Sequence, residues 1–94
     1  MDRLTTKLLS RLPPNLQEVS LAVGDISWPN KCGPIHKLPG VSYETRDNNG
    51  KNHKDKICCQ RITGDRYERA REVATEIWSY LTARDVRVKL VEVS

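Results

Sequence analysis

The sequence predicts a small α+β domain: a three- to four-stranded, mostly antiparallel sheet with one long helix packed on one face and a short N-terminal helix. Three observations carry that expectation. In the stretch ITGDRYERAREVATEIWSYL, residues 62–81, Tyr67, Ala70, Val73, Ala74, Ile77, Trp78 and Leu81 recur along one helical stripe, while Arg66, Glu68, Arg69, Arg71, Glu72 and Glu76 lie off it. Several shorter stretches alternate apolar and polar residues with the period of two that a half-buried strand requires. Finally, 94 residues with 37% hydrophobic and 30% charged side chains suit one globular domain spanning 1–94, with enough apolar surface for one core and too little for two.

Taken in order, Leu4, Leu8, Leu9 and Leu12 form a short helical stripe after Asp2, a residue suited to the N-cap. Pro13 and Pro14 must end that helix, because proline lacks an amide and restricts the residue before it. From Leu16 to Val23 the pattern alternates, with Val19, Leu21 and Val23 opposite Ser20, Ala22 and Gly24, as in a first strand. The segment Gly24 to Gly40 holds Pro29, Pro34, Pro39, Asn30 and Gly33, and reads as a long ordered loop of the kind that often carries function. Val41 to Arg46 alternates again, Asp47-Asn48-Asn49-Gly50 is a turn signal, and Lys56 to Ile62 alternates beyond it, giving a hairpin with a basic tip. Gly64 permits a sharp turn, and Asp65 followed by Glu68 three positions later is expected to cap the long helix. Val86 to Val93 reads as a closing strand, with Val86, Val88 and Leu90 facing opposite to Arg87, Lys89 and Val91.

Charge and composition narrow the functional classes. No apolar run approaches the length of a membrane span, and MDRLTTK leads into no secretory core, so a cytoplasmic protein without a membrane partner is expected. Cys32, Cys58 and Cys59 are odd in number and the last two are adjacent, a poor disulfide framework, and free thiols follow. A net charge of +4 suits an anionic partner without identifying one.

No serine or cysteine stands in a nucleophile motif and neither histidine belongs to a triad signature, so an enzyme, a small-molecule substrate and a cofactor are not expected. Glu68, Glu72 and Glu76 repeat at four-residue spacing, but Arg69 and Arg71 between them indicate a solvated, ion-paired face. Cys32, His36, His53 and Cys58 supply zinc-type donors at a spacing that matches no common finger, and no metal is expected. Lys51, Lys54, Lys56 and Arg61 around the hairpin are suited to phosphate contacts, with Tyr43 or Trp28 available to stack on a base. Lysines at turn tips are also ordinary solubilising residues. Trp78 is expected inside the fold and Trp28, beside Pro29 in the long loop, at an exposed contact. Arg87 and Lys89 mark the last strand as an edge that is either protected by charge or paired with another chain.

The phrase RYERAREVATEIWSYL, preceded by the strand and turn KICCQRITGD, resembles the strand-to-helix segment of phage tail-terminator and tail-completion proteins. The register matches at Tyr67, Ala70, Arg71, Ala74, Ile77, Trp78 and Leu81, specifically over about twenty residues, and the leading helix, first strand and proline-bearing loop follow a similar layout. The resemblance implies a non-enzymatic subunit that assembles into a ring capping the tail tube, with copies of itself and other virion proteins as partners, in the host cytoplasm and then in the virion. Trp28, Arg87 and Lys89 are the protein-interaction residues expected on that reading. A weaker likeness links VSYETRDNNGKNHKDKICCQRITG to the closing half of a KH domain, although Pro29-Asn30-Lys31-Cys32 stands where such a domain carries its G-x-x-G loop. Tyr43 to His53 is similar to the first hairpin of a double-stranded RNA-binding domain. These imply the alternative, a basic RNA- or DNA-binding domain acting through Lys51, Lys54, Lys56 and Arg61.

Overall fold

A computed structural model describes residues 1–28, 36–60 and 63–93. Its elements run α1 (Arg3–Leu9), β1 (Glu18–Trp28), β2 (His36–Arg46), β3 (Asn52–Cys58), α2 (Glu68–Thr82) and β4 (Arg87–Val93). The α+β expectation is met. The four strands form one sheet in the order β3-β2-β1-β4. β1, β2 and β3 are an antiparallel meander, with Val19 opposite Thr45 and Val41 opposite Ile57. β4 adds to the far side of β1 in parallel, from Glu18 opposite Arg87 to Gly24 opposite Val93. Parallel neighbours need a crossover, and α2 supplies it by carrying the chain from one edge of the sheet to the other.

Local chemistry explains each boundary. Asp2 caps α1 by accepting the Leu4 amide at 2.9 Å, and the helix stops at Leu9, ahead of the two prolines. α2 starts later than its sequence signals suggest. Its N-cap is Tyr67, which makes no side-chain capping bond, because Asp65 forms a tight turn before the helix, accepting the Tyr67 amide at 2.9 Å and an ion pair from Arg71. The connection from α2 to β4 is closed by Asp85, whose φ of 61° is an excursion aspartate tolerates better than most residues.

The expected loop from Gly24 to Gly40 is a correction. Both of its flanks are strand, and β1 and β2 stay in register from Gly24 opposite Gly40 out to Trp28 opposite His36. Pro39 sits within β2 because its carbonyl accepts the Cys59 amide at 2.8 Å, so its own nitrogen also points to the β3 side, where the β3 ladder ends at Gly40 opposite Cys58. A proline there costs β1 nothing and gives up only the reciprocal bond to Cys59, at the very end of the β3 ladder. The third strand likewise begins at Asn52 rather than Lys56, directly after a turn in which Asp47 accepts the amides of Asn49 and Lys51, each at 2.9 Å.

One face of the sheet holds the core. Val19, Leu21, Val23, Val41, Tyr43 and Ile57 pack against Ala70, Val73, Ala74, Ile77 and Leu81 of α2 and Leu8 of α1. Each fully buried aliphatic side chain contributes about 1.5–3 kcal/mol before chain entropy is charged against it. α1 is pinned to the same face: the Tyr43 hydroxyl donates to the Arg11 carbonyl at 3.0 Å, and Asp2 reaches Arg69 and Glu76 of α2. The other face, bearing Ser20, Ala22, Ser42, Lys54, Lys56, Lys89 and Val91, is covered by no helix among the described residues.

Candidate functional site: the β4 edge

The alternation of β4 gives its two faces different company. Val88, Leu90 and Glu92 lie opposite Val19, Leu21 and Val23 and therefore share the helix side, whereas Arg87, Lys89, Val91 and Val93 share the uncovered side. Val88 still packs against the core, but the strand leaves that cover as it proceeds, so Leu90 is 45%, Val91 56% and Val93 39% exposed. The outer edge of β4 pairs with no strand among the described residues, since β4 ends the sheet order. An edge that is parallel-paired, seven residues long and apolar on both faces is the arrangement that natural sheets normally shield.

Trp78 adds to this edge. The expectation that it packs inside is corrected: its ring is 43% exposed. The reason is helical phase, since the buried stripe runs through Ala70, Val73, Ala74, Ile77 and Leu81 and Trp78 falls on its flank. Arg71, on the same flank, lines a depression with Glu92 and Val93. Trp78 lies two turns further along α2 on that flank.

The residues expected at protein contacts are thus partly gathered. Arg87 and Lys89 stand on this edge, Lys89 within 3.8 Å of Glu18 in an exposed pair that leaves it free to exchange partners. Trp28 does not join them. It ends β1 at the far corner of the uncovered face, half-buried, with its indole N–H enclosed and unbonded among the described residues. A Cβ at Gly40 would lie 2.5 Å from the Ile57 carbonyl oxygen and 3.3 Å from that ring, so it is mainly the β3 backbone that requires glycine there.

The basic hairpin is more neutralised than its composition suggests. Lys54 faces Glu44 at 3.8 Å, while Lys56 lies 4.9 Å from the Trp28 ring centre and donates to the Ser27 carbonyl at 2.6 Å. Lys51 follows the turn and is exposed. Arg61 lies outside the described residues. His53 bonds Asp47 at 3.0 Å, and that bond is the main reason the Asp47 carboxyl sits below its usual range. Of the zinc-type donors, Cys32 and the side chain of His36 also lie outside the described residues, and Cys58 and Cys59 are free thiols. Cys59 is fully buried, and burial above all pushes its thiol up to about 12.

One polar cluster escaped sequence reasoning altogether. Asp25 accepts the Tyr67 hydroxyl at 2.8 Å and pairs with Arg66 at 3.3 Å, and Arg66 also reaches the Lys37 carbonyl at 3.2 Å. These contacts lash the N-terminus of α2 to β1 and β2. They tie polar groups to one another and hold no nucleophile beside a base. Of the carboxylates spaced along α2, Glu76 is engaged structurally, accepting the Asp2 amide at 2.9 Å.

Comparison with protein families, curated proteins and solved structures finds no match to this chain.

Proposed function

We propose that this is a non-enzymatic assembly protein that associates with copies of itself through the β4 edge. The observation that supports it is the run of exposed apolar residues Leu90, Val91 and Val93 on a strand whose outer edge is unpaired among the described residues. Scattered exposed apolar residues are normal on any surface, but an unpaired edge adds free backbone donors and acceptors to them. The resemblance of the α2 segment to phage tail-terminator and tail-completion proteins suggests the setting, a tail or connector subunit working within a ring. Absolute mass by light scattering across a concentration series tests this. A discrete oligomer is expected, of ring size if the tail setting is right. A monomer at every concentration would overturn self-association as its role.

A second reading is favoured by one observation: Lys54, Lys56, Arg87 and Lys89 all project from the uncovered face of the sheet. On that reading the face receives a nucleic-acid backbone. Binding that weakens with salt and disappears on replacing Lys51, Lys54, Lys56 and Arg61 by alanine would support it. Mass unchanged by those replacements would keep the two surfaces separate.

A further inference from the structure

We infer that two copies pair through β4 in antiparallel fashion, with Leu90 facing Leu90 across a twofold axis perpendicular to the sheet. This rests on the assembly reading above and specifies its partner and register.

Backbone direction comes first. The Arg87 amide donates to the Gln17 carbonyl at 2.9 Å, so Arg87 turns its backbone groups inward to β1. With unbroken one-to-one pairing along β4, Lys89, Val91 and Val93 do the same, and Val88, Leu90 and Glu92 point their N–H and C=O groups outward. An antiparallel neighbour satisfies those outward groups when they face outward groups of its own, in pairs that each exchange two hydrogen bonds. Centring on Leu90 sets Leu90 against Leu90 and Val88 against Glu92, which are all outward residues. It also uses every residue of the strand from Arg87 to Val93.

Side chains suit the same arrangement, which overlaps the full strand, whereas centring on Val91 would leave Arg87 and Val88 beyond it. With Leu90 on the axis, Lys89 lies opposite Val91 and Arg87 opposite Val93, so no charge meets its like, and lysine and arginine stems cover the valines. On the helix side the two Leu90 side chains meet across the axis. Centring on Lys89 or Glu92 would place identical charges face to face. The remaining edge offers a worse partner: laid in parallel at full overlap, β3 of a second copy would set Lys54 against Lys89, Asp55 against Leu90 and Ile57 against Glu92. A ring would then be closed by surfaces other than a β3 to β4 contact.

Cysteine pairing tests the register without disturbing Leu90. In a chain carrying Cys32→Ser and Cys58→Ser, with buried Cys59 retained, Lys89→Cys and Val91→Cys are made as separate proteins. Mixed and mildly oxidised, they are expected to form a covalent dimer through the directly opposed positions, about 4.5 Å apart at Cα and within disulfide reach. Each alone is expected to form none. A covalent dimer from Val91→Cys alone would overturn the register. A discrete oligomer by light scattering with no covalent dimer in the mixture would overturn β4 pairing while leaving self-association standing. A wild-type monomer at every concentration would overturn both. Leu90→Lys, which sets two lysines on the axis, is expected to raise the dissociation constant at least tenfold while leaving the circular dichroism unchanged, and an unchanged constant would also overturn the proposal.

Discussion

Replacing Gly24 by alanine should loosen β4 at its far end. Gly24 has a φ of +135°, and a Cβ built there would sit 1.8 Å from the Val93 carbonyl oxygen and 2.9 Å from its carbon. Nothing flexible absorbs that clash, since the obstruction is backbone, so Val93 must leave the ladder. Two costs add: about 1–2 kcal/mol for a side chain in a conformation L-residues avoid, and about 1 kcal/mol for the backbone hydrogen bond lost with Val93. The sum, roughly 2–3 kcal/mol, is a large share of the roughly 5–15 kcal/mol that holds a domain together. At about 4–8 °C per kcal/mol for a domain of this size, melting should fall by roughly 8–24 °C. Thermal melting by circular dichroism, with Gly50→Ala as the comparison, measures it. Gly50 also has a positive φ, of 81°, but nothing lies within 4 Å of its Cβ position, so only the conformational cost applies there. Equal losses for the two variants would refute the argument, because they would mean that β4 does not approach β1 as closely as the ladder requires.

Further outcomes follow from other contacts. Tyr67→Phe removes the 2.8 Å bond to Asp25 and should cost about 1 kcal/mol, seen as a fall in the denaturant midpoint at constant slope; an unchanged midpoint would mean that the hydroxyl is solvated instead. Ile77→Ala empties a position 1% exposed and should cost about 2–5 kcal/mol, far more than Trp78→Ala if Trp78 lies outside the core; the reverse ranking in chemical unfolding would contradict the packing. Cys59, with its thiol pushed up to about 12, should resist alkylation at mildly alkaline pH in the folded protein while Cys58 reacts, a difference read by peptide mass spectrometry that should vanish in denaturant. The carboxyl of Asp2 is held below its ordinary value by the Leu4 amide and then by Arg69, against some opposition from burial. Its contribution is therefore complete above the ordinary value of 3.8 and lost as pH falls through the lower folded one, so the stability gap to Asp2→Asn should close in acid; a gap independent of pH would sink this account.

The sheet and both helices were legible because their signals are local and repetitive. Val19, Leu21 and Val23 alternate, and the α2 stripe recurs over four turns. The extensions of β1 and β2 were hidden, because Gly24 and Pro39 read as punctuation in a one-dimensional pattern. Each is tolerated for a tertiary reason: Gly24 makes way for Val93, and Pro39 turns its nitrogen away from β1, to the terminal rung of the β3 ladder. Trp78 was misplaced by treating every apolar residue near the stripe as part of it. Asp25 gave no signal, since its partners Arg66 and Tyr67 lie far along the chain. The β4 edge was anticipated through Arg87 and Lys89, but its apolar part was not. The clue was the adjacent pair Leu90-Val91, which puts an apolar residue on each face of a strand that has no second sheet to bury the outer one.

The parallel pairing of β4 with β1 has a kinetic consequence. The meander joins strands that are neighbours in the chain, whereas Glu18 and Arg87 are separated by β2, β3 and α2 and meet through a long closure. Contacts that close long loops form late, and elements held on one side only tend to open first. The strand offered to a second copy is then the last part of the protein to become ordered and the first to exchange its amides. Association would draw on the final folding step, so that a partner slows the opening of β4 in both copies and hydrogen exchange there, and at the β1 amides turned toward β4, should become dependent on protein concentration while the β2 amides stay unaffected.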